Sequence, residues 1–503
     1  MIDNNILGPV FIHLFTGILQ LIAWRKTVTQ RFISGIGSFL GVLIAIRLFT
    51  KVNSDGILTL NAANWDAPFG IVFVADLLSS TLVLITSIAA FAVSLFSSTG
   101  ISRQRMLYGY FPIFHFLVMG LNGAFLTGDI FNLYVWFEVI IISSFVLMTL
   151  GGRKTQLEGA VKYMALNILA STFFLTGVGI LYGITGSLNM ADLSEKIKMV
   201  NNQFLVGITS AFFLLGFGIK SAVFPLYYWL PSSYHTPPSA VAATFGGLLT
   251  KVGIYAMLRV FSLIFIPDDF TKQLLMVLAV LTIFTGSMGA LIKLNIRRLF
   301  SYLIVCHIGF MIGGIGMFTK VALIGTLFYL FHDILVKTNM FLIAGLIRQM
   351  RGTMDLKSLG GLYAQYPKIS LLIVLVLFSL VGIPPLSGFW PKVFLIKDAY
   401  AHGEYAYIFA LILGSFVTLF VIARMWSEAF WKNVPEGNEL EDKFEPMPLA
   451  RKILLVLPIG ILALVTIYIG LNANFVITLA DNIADQLIDT KPYIEAVLKQ
   501  KQN

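Results

Sequence analysis

Apolar runs long enough to cross a membrane as helices dominate the pattern along this chain. A bilayer core about 30 Å thick needs roughly 20 mostly apolar residues in each helix. Fourteen stretches meet that requirement: 5–24, 32–51, 70–98, 107–123, 126–150, 159–184, 204–230, 238–263, 272–293, 298–318, 321–347, 370–396, 404–431 and 452–471. They are too long for barrel strands and lack the alternation of apolar and polar positions that such strands show. The pattern predicts an all-α polytopic membrane protein with about 14 transmembrane helices.

Two of these spans, the seventh and the twelfth, contain breaks beside a lysine. The residues concerned are Lys220 and Pro225 in the seventh, and Pro384, Pro385 and Lys392 in the twelfth. Proline removes a backbone donor and clashes with the preceding turn, so a break at membrane depth persists only inside protein or along a wet cavity. Matching breaks indicate two inverted five-helix repeats, spans 4–8 and spans 9–13. Ordinary proline kinks are the alternative.

The chain is predicted to form a single integral membrane domain, 1–503, without a soluble insertion. Its parts are an N-terminal three-helix segment (1–106), the first repeat (107–263), the second repeat (272–431), and a remainder (432–503) with an acidic cytoplasmic loop, the last helix and an external tail. The acidic loop, which includes Glu436 and Glu439, is expected to be a solvated loop, with a docking surface as the alternative. The tail alternates apolar and acidic residues and predicts an amphipathic surface helix.

Composition narrows the class of protein further. Of the 503 residues, 57% are hydrophobic and 12% are charged, and the mean hydropathy is +0.86. A chain this apolar cannot cover itself with a wettable surface, which excludes a soluble enzyme, a disordered protein and a nucleic-acid binder. The net charge of +10 is explained first by basic cytoplasmic loops.

The basic residues alternate between the two sets of loops, 18 in one set and 7 in the other. The larger set is Arg25, Lys26, Arg31, Arg103, Arg105, Arg153, Lys154, Lys293, Arg297, Arg298, Arg348, Arg351, Lys357, Lys368, Lys432, Lys443, Arg451 and Lys452. The smaller set is Arg47, Lys51, Lys196, Lys198, Lys272, Lys320 and Lys397. The bias places the larger set in the cytoplasm and both termini outside the cell membrane.

Signals for cofactor or metal chemistry are missing from the sequence. Cys306 is the only cysteine, the six histidines are scattered, and no Gly-Lys-Ser or Gly-Lys-Thr phosphate loop occurs. We therefore expect no cofactor and no metal site, and the chain is not expected to be an enzyme.

Ionisable residues inside the spans carry the functional information. Glu138 and Lys251 lie near the centres of their spans, and Lys220, Lys337 and Lys392 also fall within predicted helices. Each such charge costs roughly 2.5–3.5 kcal/mol at the bilayer centre. One buried lysine could belong to a structural ion pair, but several together favour a proton pathway, because burial disfavours the charged form and eases proton exchange.

Histidine and aspartate residues complete the set of candidates. His332, five residues before Lys337, could pass protons or be a satisfied core residue, and His307 is a weaker candidate. Asp76 and Asp129, near the starts of their spans, are expected to be helix-end charges.

These motifs together resemble the antiporter-like subunits that respiratory complex I shares with the Mrp multisubunit cation/proton antiporters. The resemblance covers nearly the whole chain and rests on Leu133–Glu138, Ala160–Met164, Gly218–Leu226, Lys251–Tyr255, Arg297–Tyr302, His307–Gly309, His332–Lys337 and Gly382–Phe389. Lys392, which is a glutamate in some relatives, and the short C-terminal end make the Mrp D subunits the best fit.

The resemblance implies a proton pathway and assigns roles along it. Glu138 would pair with Lys220, Lys251, His332 and Lys337 would form the central relay, and Lys392 would be the terminal group. The implied function is proton translocation within a cation (Na⁺)/proton antiporter, with other membrane subunits, protons, Na⁺ and the lipid bilayer as partners. A complex I or membrane-bound hydrogenase subunit is the main alternative. A stand-alone carrier and a structural scaffold are weaker ones.

Overall fold

The computed structural model of the chain describes residues 4–435 and 441–498. Its first half consists of helices with one small antiparallel sheet of two strands. The elements are α1 (Gly8–Ile22), α2 (Thr27–Asp55), β1 (Leu58–Asn61), β2 (Val72–Ala75), α3 (Leu77–Gly100), α4 (Arg103–Leu107), α5 (Tyr110–Leu126), α6 (Ile130–Thr149), α7 (Lys154–Thr185), α8 (Met190–Lys196), α9 (Gln203–Ser221), α10 (Trp229–Ser233), α11 (Ser239–Thr244) and α12 (Thr250–Leu263). A π-helical segment, Phe245–Leu249, joins α11 to α12.

The second half continues with helices alone. These are α13 (Asp269–Ile292), α14 (Ile296–Met317), α15 (Lys320–Arg351), α16 (Leu362–Gln365), α17 (Pro367–Val381), α18 (Phe389–Ala401), α19 (Tyr405–Trp426), α20 (Leu449–Leu471), α21 (Ala473–Ile488) and α22 (Lys491–Leu498). A second π-helical segment, Ser427–Trp431, extends α19.

The all-α membrane fold predicted from the apolar runs is confirmed. Within the described residues, 12 helices are long and apolar enough to cross a membrane, and two shorter apolar helices, α5 and α17, coincide with predicted spans four and twelve. The inverted relation of the two repeats and the count of fourteen crossings stay predictions.

Polar side chains begin several of the helices, as helix-start chemistry requires. Asp76 accepts a hydrogen bond from the Ser79 amide at the start of α3, and Asp129 accepts one from the Asn132 amide at the start of α6. These contacts satisfy backbone donors that have no partner within the helix. The prediction that both aspartates are helix-end charges is confirmed.

Helix α15 is deeply buried and lies at the centre of the second half. It packs against α14 and α18, and also against α3, α20 and α21. The apolar windows of α15 and of the segment Ser239–Leu263 are entirely buried within the chain. The middle of α15, which carries His332 and Asp333, is therefore shielded from bulk solvent and from lipid by the rest of the chain.

The C-terminal tail is helical and packs onto the rest of the chain. The apolar face of α21 buries Ile483 and Leu487 against its neighbours, and its acidic face pairs with Lys320 through Asp481 and Asp485, at 3.0 and 2.8 Å. The predicted amphipathic helix is therefore present, and it covers the end of α15.

An arginine that the sequence reasoning did not single out anchors this tail. The Arg259 guanidinium lies 2.5 Å from an Asp76 carboxylate oxygen, and both residues are buried. The ring of Tyr493, from α22, lies with its centroid 5.1 Å from the guanidinium. One buried ion pair thus connects α3, α12 and the last helix.

The acidic loop is described at its two ends, through residue 435 and again from residue 441. Glu436 and Glu439 lie outside the described residues. Further along, Asp442 accepts a hydrogen bond of 2.6 Å from the Tyr366 hydroxyl, and Phe444 is buried. Burial and the carboxylates of Asp442 and Glu445 raise the pKa of Tyr366 above its ordinary value. The part of the loop that follows residue 441 therefore packs against the rest of the chain and is not fully solvated.

Candidate functional site

Both predicted helix breaks are present, and each separates two helical segments. The chain leaves helical conformation between α9 and α10, where Pro225 lies, and between α17 and α18, where Pro384 and Pro385 lie. Ala222 and Gly382 directly follow the first segments in left-handed conformations, with φ of 60° and 89°. The backbone carbonyls at both breaks are therefore released from the helical pattern and are available to side chains.

At the second break, Lys392 caps the broken helix. Its Nζ donates a 2.7 Å hydrogen bond to the carbonyl of Val381, the last residue of α17, and lies 5.7 Å from the centroid of the Phe310 ring. The last carbonyls of a helix carry partial negative charge, so this position stabilises the ammonium form of Lys392.

At the first break, a tryptophan donates to a carbonyl near the end of α9, and the lysine contacts a different group. The Trp229 Nε1 donates a 2.9 Å hydrogen bond to the Ile219 carbonyl. Lys220 Nζ donates a 3.3 Å hydrogen bond to the Ser171 hydroxyl of α7 and lies 4.7 Å from the centroid of the Phe137 ring. Lys220 is buried, and its ammonium group contacts one neutral hydroxyl and one aromatic ring.

The implied ion pair between Glu138 and Lys220 is not formed in this conformation. Glu138 is half-buried and lines a cavity of about 280 Å³ between α6 and α7, and Ser171 lines the same cavity. Its Oε1 atom has no hydrogen-bond partner among the described residues. Ser171, rather than the carboxylate, accepts the Lys220 hydrogen bond.

The centre of the site is a carboxylate between two lysines. Asp333 lies with its Oδ2 atom 2.8 Å from Lys251 Nζ and its Oδ1 atom 3.9 Å from Lys337 Nζ. All three side chains are 0% exposed. Asp333 and Lys337 are four residues apart on α15, which places them on one face of that helix, and Lys251 reaches the same carboxylate from α12.

The π-helical segment before α12 supplies a second partner to this cluster. Lys251 Nζ donates a 2.7 Å hydrogen bond to the carbonyl of Gly246, which lies in this segment. Lys337 Nζ likewise donates to the carbonyl of Leu303, at 3.2 Å. Each lysine therefore has one backbone acceptor and shares one carboxylate with the other.

The two histidines of the second repeat lie on different sides of Asp333. His307 Nδ1 lies 3.4 Å from the Asp333 Oδ1 atom, which makes His307 a direct neighbour of the cluster. His332 Nδ1 is 2.7 Å from the Ser387 hydroxyl, inside the second helix break. Its ring also approaches Gly388, which precedes α18 and Lys392. His332 therefore lies between the central cluster and the Lys392 end.

A small cavity lies beside the first break. It has a volume of about 20 Å³ and is lined by Lys220, by the buried Tyr234, and by Leu249 and Val252 of the segment that carries Lys251. The Tyr234 hydroxyl has no hydrogen-bond partner among the described residues. The cavity has room for about one water next to the Lys220 ammonium and the Tyr234 hydroxyl.

The charges at the centre do not balance when both lysines are protonated. One carboxylate can compensate one ammonium, and an uncompensated charge in a dry interior is costly. Arrival of a proton on one lysine therefore favours its release from the other. Among the residues that the structure describes, no three histidine, cysteine or carboxylate side chains converge where a metal could bind. The arrangement is suited to proton transfer.

Comparison with known proteins shows the family to which this chain is similar. Residues 127–418 match the family model described as NADH:quinone oxidoreductase/Mrp antiporter. The chain is 40% identical to the D subunit of the Na⁺/H⁺ antiporter of Alkalihalophilus pseudofirmus over 99% of this chain and 100% of the relative. It is also 40% identical to the protein of the same name from Bacillus subtilis, with the same coverage.

Solved structures give the same result for the fold. A chain of the Mrp complex from Dietzia sp. DQ12-45-1b superposes with a TM-score of 0.88 at 28% identity, covering 98% of this chain and 99% of that one. A chain of an archaeal membrane-bound sulfane sulfur reductase superposes with a TM-score of 0.87 at 26% identity, again covering 98% and 99%. The chain therefore belongs to the NADH:quinone oxidoreductase/Mrp antiporter family, among the D subunits of the Na⁺/H⁺ antiporters.

Proposed function

We propose that this chain is the proton-translocating subunit of a multisubunit Na⁺/H⁺ antiporter in the cell membrane. It acts as a transporter subunit rather than an enzyme, with other membrane subunits, protons, Na⁺ and the bilayer as its partners, and with both termini outside. The observation that carries the proposal is the fully buried Asp333 carboxylate shared by Lys251 and Lys337. The functions named for its relatives, at 40% identity over the full length, support it.

In this proposal protons move along the line of buried groups from one helix break to the other. A proton reaches Lys220 at the first break, passes to Lys251, and raises the positive charge around Asp333. Because Asp333 compensates only one lysine, Lys337 then releases its proton toward His332 and Lys392. Val381, whose carbonyl accepts from Lys392, holds the terminal ammonium until it discharges.

Glu138 would control entry to this line. Its carboxylate lines the same cavity as Ser171, which accepts the Lys220 hydrogen bond, and a rearrangement that exchanges the serine for the carboxylate would form an ion pair. The ion pair would stabilise the protonated form of Lys220, and its loss would favour transfer to Lys251. The paired state of Glu138 and Lys220 would thus accept a proton, and the unpaired state would pass it on.

One observation favours a second candidate function. The similarity to a chain of a respiratory membrane complex fits a subunit that is driven by redox chemistry elsewhere in its complex, as in complex I or a membrane-bound hydrogenase. The proteins that co-purify with the chain decide between the two. Small multi-span proteins support the antiporter, and iron–sulfur proteins support the respiratory alternative.

The proposal predicts that the entry pair is indispensable for transport. In vesicles that contain the assembled complex, Glu138→Ala and Lys220→Ala should each reduce Na⁺-dependent proton flux to the level of vesicles without the complex. Lys162→Ala is the matched control, because Lys162 is an exposed lysine that pairs with Glu158 on the surface of α7. Wild-type flux from either assembled Glu138 or Lys220 variant would rule out this assignment.

A further inference from the structure

A basic cavity opens at one end of the helix bundle, on the side where the larger set of basic loop residues lies. It has a volume of about 740 Å³ and lies between the ends of α3, α14 and α15, the α4 helix and the loop before α11. Six of its lining residues are basic: Arg105, Arg153, Arg297, Arg298, Arg348 and Lys443. None of the described residues that line it is an aspartate or glutamate.

The arginine charges in this cavity lack local compensation, whereas Lys443 pairs with Glu441 at 3.0 Å. Within the part of the chain that the structure describes, none of the five arginines forms an ion pair. Burial and the neighbouring charges of Arg153 and Arg348 lower the pKa of Arg105 below its ordinary value. Converging guanidinium groups without a carboxylate repel one another, so the site is arranged for an anion from outside the chain.

One arginine that lines the cavity, Arg297, has a buried N–H donor without a hydrogen-bond partner among the described residues. Arg297 is only 9% exposed, its side chain donates to the Pro237 carbonyl, and its Nε atom has no partner among the described residues. Guanidinium groups match phosphate oxygens with paired hydrogen bonds. A buried arginine with a free donor, surrounded by four more arginines, is therefore a specific feature rather than a general basic surface.

We propose that this cavity binds a phosphate group, supplied either by the headgroup of an anionic phospholipid or by a free phosphate. Its place at the ends of the spanning helices puts it at the depth of lipid headgroups, where basic pockets between helices hold anionic lipids. A volume of about 740 Å³ accommodates a glycerophosphate headgroup. The site is separate from the buried lysines, so the inference does not depend on the proposed function.

The test measures binding to the assembled complex by native mass spectrometry with three probes. These are a short-chain phosphatidylglycerol, a phosphatidylcholine of the same chain length, and inorganic phosphate. We expect phosphatidylglycerol to bind the wild type, and the double variant Arg105→Gln/Arg348→Gln to bind it about 30-fold more weakly. That factor corresponds to about 2 kcal/mol, at about 1 kcal/mol for each basic residue lost.

Matched variants keep the test decisive. Arg103→Gln should bind like the wild type, because Arg103 is exposed on the same α4 helix but does not line the cavity. If Arg105→Gln prevents assembly, Arg153→Gln/Arg348→Gln replaces it, since both side chains are exposed. Competition by inorganic phosphate would identify free phosphate as the source, and its failure would identify the lipid. Equal phosphatidylglycerol binding by the wild type and the double variants would overturn the inference.

Discussion

Replacing Asp333 by asparagine should abolish Na⁺-dependent proton flux while preserving the shape of the central cluster. The asparagine has nearly the same volume, but it can no longer compensate the charge of Lys251 or Lys337, which lie 2.8 and 3.9 Å from the carboxylate. Breaking a buried ion pair costs about 3–5 kcal/mol when the remaining charge stays buried. Loss of a proton from a lysine avoids that cost, so both lysines should become neutral and stop exchanging protons.

The measurement compares proton flux and complex assembly in the same vesicles. Asp129→Asn is the matched control, because Asp129 is also a buried carboxylate but begins α6, where asparagine caps a helix equally well. The control should keep wild-type flux. If the assembled Asp333→Asn complex also kept wild-type flux, the shared carboxylate would have no part in transport.

Replacing Arg259 by methionine should cause the largest loss of stability. Methionine fills much of the same space but leaves the Asp76 carboxylate buried without its partner 2.5 Å away. We expect a cost of about 3–5 kcal/mol and release of α22, whose Tyr493 ring packs on the guanidinium. Thermal unfolding of the assembled complex and proteolysis of the C-terminal tail measure the two effects.

A double variant separates the charge from the packing. In Arg259→Met/Asp76→Asn, no unpaired charge remains and asparagine still caps α3, so most of the lost stability should return. A double variant as unstable as Arg259→Met alone would show that the buried charge of Asp76 is not the cause.

The features that depend on local sequence could be predicted directly. Apolar runs predicted the spans, because a helix in lipid must be apolar over its own length. Proline inside an apolar run predicted the breaks at Pro225 and at Pro384, because proline disrupts a helix wherever the helix packs. Charges inside apolar runs marked Lys220 and Lys251, since such residues are costly unless they have a function or a partner.

The partners of these charges could not be predicted, because they come from helices distant in sequence. Asp333 was visible beside His332, but only packing of the Phe245–Leu249 segment, directly before α12, against α15 shows that Asp333 pairs with Lys251. The π-helical segment that contains Gly246, whose carbonyl accepts from Lys251, has no clear sequence signal. The implied contact of Glu138 with Lys220 is replaced by one with Ser171, a polar residue on an otherwise ordinary span.

Arg259 shows what the same reasoning overlooked. It lies inside the eighth predicted span, as Lys251 does, and a charge at that depth requires a partner for the same reason. The partner is the capping residue Asp76, whose place at a helix start concealed a second role. The charges inside the predicted spans thus belong to two groups. One is the lysine–aspartate cluster proposed for transport, and the other is the Arg259–Asp76 pair, which holds the C-terminal tail.

The sharpest check on the proposed relay is proton flux through the assembled complex carrying Lys337→Met. Methionine keeps the packing of a fully buried side chain but cannot carry a proton, while Lys251 still compensates Asp333. Lys432→Met is the control, because Lys432 is exposed and pairs with Glu428 on the surface. We expect background flux for Lys337→Met and wild-type flux for the control. Wild-type flux from an assembled Lys337→Met complex would contradict a relay through the central lysines.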